Sequence, residues 1–202
     1  MSSTSGFTKN QNDFTDEDER ICLLLDVKAD LSPAIRTHAP VSTPIPTRAP
    51  SYSLRTGLMA CVGVFIIISV MAFASFDLGT LLLLGSFGSS VVIVFTFPDI
   101  HFAQPRSVIG GHLICSAVGL AALAMLGPSW WALASAAAVS LAVMMLTRTV
   151  HPPAGSNPII VFLATPQWSF LLFPTLFGAL TMVVVAIAYH RVCKRPYPAY
   201  WI

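Results

Sequence analysis

The sequence predicts an all-α membrane protein with about six transmembrane segments, some broken or short, and a three-helix repeat of inverted topology. Three observations predict this fold. Of the 202 residues, 55% are apolar and 10% are charged, whereas soluble domains carry about 25% charged residues. Apolar stretches recur after residue 55 at the length of about 20 residues that a helix needs to cross about 30 Å of hydrocarbon. The third observation is a self-match at a shift of 67 residues.

The first 54 residues are predicted to form a disordered cytoplasmic tail. They are rich in Ser, Thr and Pro, and seven of the nine acidic residues lie before residue 31. Such a composition buries too little apolar surface to offset the entropy lost on ordering. The first long apolar run begins only near Gly57, so the N-terminus does not resemble a signal peptide. We place the membrane domain at residues 55–191 and a short cytoplasmic C-terminal tail at residues 192–202.

Five apolar stretches have the length of a full membrane span. They cover residues 56–75, 78–97, 107–127, 129–147 and 168–190. A sixth stretch, residues 159–165, is too short to span by itself. It follows a segment in which His151 precedes Pro152 and Pro153, and two adjacent prolines preclude a regular α-helix there.

The distribution of Lys and Arg favours six passes with both termini in the cytoplasm. If the short stretch completes a crossing, every basic cluster falls on the cytoplasmic side, as the positive-inside rule expects. In the alternative with five passes, the basic C-terminal end would lie outside. The basic residues that decide this are Arg48, Arg55, Arg106, Arg148, Arg191, Lys194 and Arg195. We expect an integral protein of a plasma membrane, with a bacterial inner membrane as the leading location.

The self-match indicates an inverted repeat. Residues 88–95 align with residues 155–162, and Gly111 aligns with Gly178. Three predicted passes separate the copies, so the copies would run in opposite directions through the membrane. In transporters, repeats of this kind place the substrate site at their interface near the midplane.

Both aligned segments contain small and polar residues at which a helix could break and restart. Restarted helices at about 89–97 and 156–165 would bring two N-termini, with their positive dipole ends, to the membrane centre. An anion or a polar solute would bind there. The alternative is close helix packing, which commonly explains small residues in membrane helices. The candidate substrate-binding residues from these segments are Gly88, Ser89, Ser90, Gly155, Ser156 and Asn157.

Histidine and arginine supply the remaining candidates. His112 lies inside the third span and His151 beside the proline pair, and polar residues at membrane depth are costly and often functional. A helix–helix hydrogen bond is the alternative for His112. Three residues are predicted to form a basic cytoplasmic vestibule that concentrates anions, although the positive-inside rule also explains the arginines: His101, Arg106 and Arg148.

No pattern typical of an enzyme, a cofactor site or a metal site is present in the sequence. The four cysteines show no paired spacing, and Cys61 and Cys115 lie within apolar runs, where a thiol behaves as a small hydrophobe. We therefore expect no catalysis, no cofactor, no metal and no nucleic-acid partner. Small-residue runs such as residues 132–138 could pack within a protomer or between protomers. A homo-oligomer is therefore one of two alternatives that the sequence allows.

Two motifs resemble the HPP family of integral membrane proteins. Residues 97–113 read FPDIHFAQPRSVIGGHL and residues 146–158 read LTRTVHPPAGSNP; the family takes its name from the His-Pro-Pro triplet. The resemblance covers about residues 55–190. It carries over His151, Pro152 and Pro153, the Ala-Gln-Pro-Arg motif at residues 103–106 and the Gly-Gly-His motif at residues 110–112.

Some members of that family are associated with nitrite transport, so the resemblance implies a transporter or channel for nitrite or another small anion. The partners expected are the lipid bilayer and a small inorganic anion. Two alternatives remain. One is a pore for a small neutral solute, and the other is a membrane scaffold or sensor that does not transport and whose acidic tail recruits a partner.

Overall fold

The described part of the chain is helical throughout. The structure, a computed structural model, describes residues 53–79 and 82–201, so the predicted N-terminal tail lies almost entirely outside the described residues. We number the α-helices α1 (Leu54–Phe76), α2 (Gly85–Thr96), α3 (Pro105–Leu126), α4 (Trp130–Leu146), α5 (Asn157–Ala164) and α6 (Phe177–Val192). No strand occurs among these residues. The predicted all-α membrane fold is confirmed.

Within residues 53–79 and 82–201, three helical segments are long and apolar enough to cross a membrane. They are α1, with 23 residues, α3, with 22, and the 25-residue run Trp168–Val192 that ends in α6. They agree with the predicted spans at residues 56–75, 107–127 and 168–190. Local sequence sets their ends: the Ser53 hydroxyl accepts the Thr56 amide at 3.1 Å, and Pro105 occupies the first turn of α3, where its missing N–H costs no hydrogen bond.

The outer surface of α1 has the apolar character of a lipid-facing helix. Large apolar side chains cover it, and Leu58, Phe65, Val70 and Phe73 are exposed. Apolar surface of this extent is typical of a membrane-facing helix. The opposite face of α1, which carries Ile67 and Met71, is fully buried against the rest of the domain.

The predicted full-length span at residues 78–97 is wrong. Helix α2 covers only Gly85–Thr96, 12 residues, or about 18 Å at 1.5 Å per residue. The chain before it is extended at Leu84 (φ −130°, ψ 139°), and the amides of Leu82 and Leu83 donate to the Ser75 hydroxyl at 3.1 Å. The predicted restart at residue 89 is also wrong, because α2 begins at Gly85 and continues unbroken through residues 88–90.

The proline-rich segment behaves as predicted. A 3-10 helix, Pro152–Ser156, leads into α5, whose eight residues lie inside the predicted stretch 156–165. Pro158 stands in the first turn of α5, the position at which a helix tolerates proline. Helix α4 also agrees, within one residue at each end, with the predicted span at residues 129–147.

Two glycines let the backbone come unusually close. A methyl group on Gly111 of α3 would lie 2.8 Å from the Cβ of His151 and 3.1 Å from the carbonyl oxygen of Thr149. A methyl group on Gly178 of α6 would lie 2.7 Å from the carbonyl oxygen of Leu82 and would also overlap the ring of Phe87. Each glycine therefore fixes a long helix against the chain just before or within a short helical segment.

The C-terminal segment packs onto the loop between α2 and α3. The hydroxyl of Tyr197 donates to the carbonyl of Ala103 at 3.0 Å. The Oε1 atom of Gln104 accepts the amide of Ala199 at 2.9 Å, while its Nε2 atom donates to the carbonyl of Pro98 at 2.8 Å. Residues 192–202 were predicted only as a short tail, and the described part of them is docked by these hydrogen bonds.

Candidate functional site

A cluster of buried polar side chains lies where α2, α3, α5 and the segment before α5 meet. Its centre is the hydroxyl of Ser90, on the face of α2 that also carries Phe87, Val91 and Val94. The Ser90 Oγ atom lies 2.8 Å from the Nε2 of His151 and 3.3 Å from the Nε2 of His112. It also lies 3.0 Å from the carbonyl oxygen of Ser86. Ser90, His112 and His151 are 0% exposed.

The backbone determines the tautomer of both histidines. The Nδ1 of His112 lies 2.8 Å from the carbonyl oxygen of Val108, and the Nδ1 of His151 lies 2.6 Å from that of Phe102. Because a carbonyl oxygen only accepts hydrogen bonds, each Nδ1 must carry a proton. In the neutral rings, both Nε2 atoms are therefore acceptors, and both face the Ser90 hydroxyl.

Asn157 extends the cluster from the start of α5. Its Nδ2 donates to the Ser116 hydroxyl at 2.8 Å and to the His112 carbonyl at 3.3 Å, and the Ser116 hydroxyl lies 3.1 Å from that of Thr175. The Oδ1 of Asn157 is buried and has no hydrogen-bond partner among the described residues. Such an atom costs free energy unless a ligand or water donates to it.

Aromatic and imidazole rings close the cluster. The ring of Phe87 meets His112 edge-on at a centroid distance of 4.9 Å, and the two imidazole rings are 5.0 Å apart. In the part of the chain that the structure describes, the only carboxylates are Asp77 and Asp99, and both are exposed. The cluster is therefore polar and buried, and it carries no fixed charge.

A family model described as "HPP, transmembrane region" matches residues 49–198. The chain belongs to the HPP family. It is also similar to two transmembrane proteins of Dictyostelium discoideum, at 33% identity over 155 residues and 31% identity over 153 residues. These matches cover 72% and 71% of this chain but 54% and 49% of the relatives, so the chain spans about half the length of the curated relatives it matches. No solved structure matches the chain.

The HPP motif itself supplies two parts of the cluster. His151 places its imidazole against Ser90, and the two prolines after it form the 3-10 helix that leads to Asn157. The Gly-Gly-His motif acts from α3: Gly111 admits the backbone at residues 149–151, and His112 faces the cluster. Two motifs that are 39 residues apart in the sequence thus form one site.

In this HPP protein, four of the predicted site residues lie outside the cluster. Gly88 and Ser89 are exposed on α2, because successive residues of a helix are about 100° apart and Ser90 takes the buried face. The Ser89 hydroxyl donates to the carbonyl of Ser86. Gly155 and Ser156 are half-buried, and the Ser156 hydroxyl donates to the carbonyl of Pro153 at 2.8 Å.

The three residues predicted to form a vestibule lie outside the cluster, and the vestibule stays a prediction. His101 is exposed and packs on the ring of Phe102, with centroids 3.9 Å apart. Arg106 donates to the carbonyl of Thr147 at 2.9 Å. Arg148 is exposed and has a positive φ of 57°. The loops that carry these residues border the cluster, since the carbonyl of Phe102 fixes His151.

Sequence reasoning missed Ser116 and Thr175, which hold Asn157 in place. One signal for Ser116 was available, because it follows His112 by four residues and therefore shares its helix face. Thr175 offered no such signal. It lies in the irregular turn Leu172–Leu176, which only the tertiary structure brings to the cluster.

Proposed function

We propose that this HPP protein transports a small monovalent anion across the membrane, with nitrite as the leading substrate. The observation that carries the proposal is the fully buried cluster of Ser90, His112, His151 and Asn157 inside an apolar helical domain. Buried ionisable and polar groups at membrane depth are costly and mark substrate pathways. Their burial in this conformation closes the cluster to solvent, so binding requires movement of the surrounding helices.

The charge around the cluster favours an anion over a metal cation. The membrane domain contains only two carboxylates, at Asp77 and Asp99, and both are exposed. Within the described residues, a cation would therefore have no oppositely charged ligand at the cluster, and an anion would meet no repelling carboxylate. Imidazole and hydroxyl groups supply hydrogen bonds to an anion once they carry a proton on the facing atom.

Close contacts of two glycines support an inverted repeat as the framework of transport. A shift of 67 residues relates Gly111 to Gly178 and also relates Leu82 and Phe87 to Thr149 and Ala154. A methyl group on Gly111 would contact Thr149 and Ala154, and one on Gly178 would contact Leu82 and Phe87. Each glycine of one copy thus approaches the matching positions of the other copy, as two copies related by a two-fold axis would.

Element boundaries follow the same shift. Residues 85–96 of α2 map onto residues 152–163, which form the 3-10 helix and most of α5. Residues 105–126 of α3 map onto residues 172–193. The observed helical run, Leu172–Val192, agrees with this range to within one residue. Ser90 maps onto Asn157, so each copy contributes one polar side chain to the cluster from its short helix.

Side chains, rather than free helix N-termini, supply the recognition that we propose. The backbone N–H of Asn157 donates to the carbonyl of Ala154, and Pro158 has no backbone N–H group. The first turn of α5 therefore offers fewer free donors than a simple helix N-terminus. We therefore propose that the hydroxyl, imidazole and amide groups of the cluster bind the substrate, in place of the two free helix N-termini expected from the sequence.

One observation favours a neutral solute as a second candidate. The unpartnered Oδ1 of Asn157 and the two imidazole Nε2 atoms are acceptors, and they suit a solute with N–H donors, such as urea. A current distinguishes the two, because uncoupled movement of an anion carries charge and movement of urea does not. Urea uptake without anion uptake would favour the neutral pore.

Nitrite as the substrate rests on the resemblance of the motifs, and the topology rests on charge. Six passes with both termini in the cytoplasm is the arrangement that we propose from the positive-inside rule. A bacterial inner membrane stays a prediction. The Dictyostelium relatives are eukaryotic proteins, so the family is not confined to bacteria.

The test is nitrite uptake into proteoliposomes that hold the purified protein, compared for Ser90→Ala and Ser89→Ala. These hydroxyls are adjacent in sequence, but only Ser90 faces the cluster. Loss of one hydrogen bond in a buried polar site costs about 1–3 kcal/mol, so we expect Ser90→Ala to lower the uptake rate by about fivefold or more. Ser89→Ala should leave it unchanged.

Formate, nitrate and chloride as competitors define the anion class. Saturable nitrite uptake above empty vesicles, lost only in Ser90→Ala, supports both function and site. Equal loss in both variants would contradict the site. No uptake of any anion or of urea by folded, inserted protein would contradict transport and favour the scaffold reading.

A further inference from the structure

The centre of the cluster contains one hydrogen-bond donor too few. With both imidazoles protonated on Nδ1, the two facing Nε2 atoms have no proton. Ser90 has a single hydroxyl proton, and three acceptors surround it: His151 Nε2 at 2.8 Å, Ser86 O at 3.0 Å and His112 Nε2 at 3.3 Å. At least one buried Nε2 therefore has no donor among the described residues.

One added proton satisfies every atom of this centre. If either Nε2 is protonated, it donates to the Ser90 oxygen, and the Ser90 hydroxyl donates to the Nε2 of the other ring. Both Nδ1–H groups keep their carbonyl partners. A second proton would place two positive charges on rings whose centroids are 5.0 Å apart, which the low dielectric of a buried site opposes. The cluster is therefore built for one proton.

Among the described residues, no charged side chain contacts the cluster to neutralise that proton. Helix α2 and helix α5 carry no titratable side chain. The titratable and charged groups of the neighbouring elements are engaged or exposed elsewhere. His190 lies against the Val94 carbonyl, Cys115 against Met144 and Arg106 against Thr147. Tyr189 donates to the Met59 carbonyl and Tyr197 to that of Ala103. Arg195 donates to the Phe95 carbonyl. The remaining groups of these elements are exposed: Asp99, His101, Arg148, Arg191 and Lys194.

From this geometry we infer that the His112–Ser90–His151 centre binds the transported anion only together with one proton, so that the protein is an electroneutral proton–anion symporter. The inference rests on the proposed function. A proton alone or an anion alone would be an unpaired buried charge, and both are costly. Together they are neutral, so each raises the affinity of the centre for the other, as linkage requires.

The proton step is a simple transfer. On the loading side, a proton from water joins the Nε2 of His112 or His151, and the anion accepts a hydrogen bond from the new N–H group. On the release side, the same N–H bond breaks, and the proton leaves to water with the anion. No bond of the anion is broken and no electron is transferred.

The experiment uses proteoliposomes of the full chain loaded with a pH-sensitive dye, with an inward nitrite gradient at equal pH on both sides. We expect the lumen to acidify by one proton for each nitrite that enters, after subtraction of the rate in empty vesicles. Clamping the membrane potential with potassium and valinomycin should not change the rate. His112→Gln and His151→Gln should each lower both fluxes by about tenfold or more, while Ser89→Ala retains both.

Nitrite uptake that carries current and moves no proton would overturn the inference and leave the proposed function standing. Absence of uptake would count against the proposed function, and a second measurement then tests the proton centre by itself. In ¹⁵N spectra of the histidine side chains, adding nitrite at constant pH should protonate one Nε2 of the pair. If nitrite leaves both Nε2 atoms of the folded protein unprotonated, the inference is overturned.

Discussion

Gly111 lies so close to His151 that a methyl group on Gly111 would stand 2.8 Å from the Cβ of the histidine. The contact joins the first third of α3 to the segment that carries the His-Pro-Pro triplet. It sets the position of the His151 ring, whose Nε2 lies 2.8 Å from the Ser90 hydroxyl. Gly111, the second residue of the glycine pair, therefore sets the distance between α3 and the segment that carries His151.

Gly111→Ala should destabilise the protein and displace His151. The added carbon would also meet the backbone carbonyl of Thr149 at 3.1 Å, and a backbone atom does not move aside as a flexible side chain does. Overpacking of this kind costs about 1–3 kcal/mol. We expect a lower midpoint of thermal unfolding in detergent and slower nitrite uptake. Gly88→Ala is the matched control, because nothing lies within 4 Å of its added carbon; equal effects of the two variants would contradict the spacing role.

Gly63 and Gly178 should respond differently to trimming of their aromatic neighbours. The three atoms nearest to an alanine methyl at Gly63 belong to the rings of Phe95 and Tyr189, whereas a methyl at Gly178 would meet Phe87 and the Leu82 carbonyl at 2.7 Å. Both single substitutions are expected to lower stability. In double-mutant cycles of thermal stability, Phe95→Leu should rescue much of the Gly63→Ala loss. Phe87→Leu should rescue little of the Gly178→Ala loss, and full rescue there would contradict the backbone contact.

Asn157→Asp should abolish anion uptake. The substitution removes the amide donor that reaches Ser116 and the His112 carbonyl, and it places a carboxylate where no Lys or Arg of the described residues contacts it. Burying an unpaired carboxylate is strongly unfavourable and repels an anion. Uptake rate and unfolding temperature are measured together. Ser156→Ala serves as the control, since that hydroxyl bonds only within its own turn, and unchanged uptake in Asn157→Asp would exclude Asn157 from the pathway.

Tyr197 should make stability depend on pH in the alkaline range. Burial raises the pKa of the Tyr197 phenol, which lies outside the membrane helices, above its value of about 10 in an unfolded chain. The unfolded state then releases a proton that the folded state retains, so stability is constant below about pH 10 and falls as pH rises further. Chemical unfolding between about pH 8 and pH 11 measures this slope. Tyr197→Phe should flatten it and, by losing the bond to Ala103, cost about 1 kcal/mol below pH 10. A slope identical to that of the wild type would contradict the assignment.

Part of the candidate site was accessible from sequence. Ser90, His112, His151 and Asn157 stood out because polar side chains in apolar runs are costly and therefore carry a reason to be there. The neighbours Gly88, Ser89, Gly155 and Ser156 were predicted on the same grounds, and the structure places them away from the cluster. Residue type identified the segments that meet at the cluster, but only packing fixed which helix face each residue occupies.

The sequence by itself determined the all-α membrane architecture, the long helices and the short helix after the proline pair. These features follow from properties of local stretches: hydropathy over about 20 residues and the inability of proline to continue a regular helix. The tertiary structure alone decided that α2 begins at Gly85, that both histidines present Nε2 to Ser90, and that Gln104 holds the C-terminal segment. The physical reason is range, since the Ser90–His151 contact joins residues 61 apart, and only the packed backbone fixes which atoms meet across such a distance.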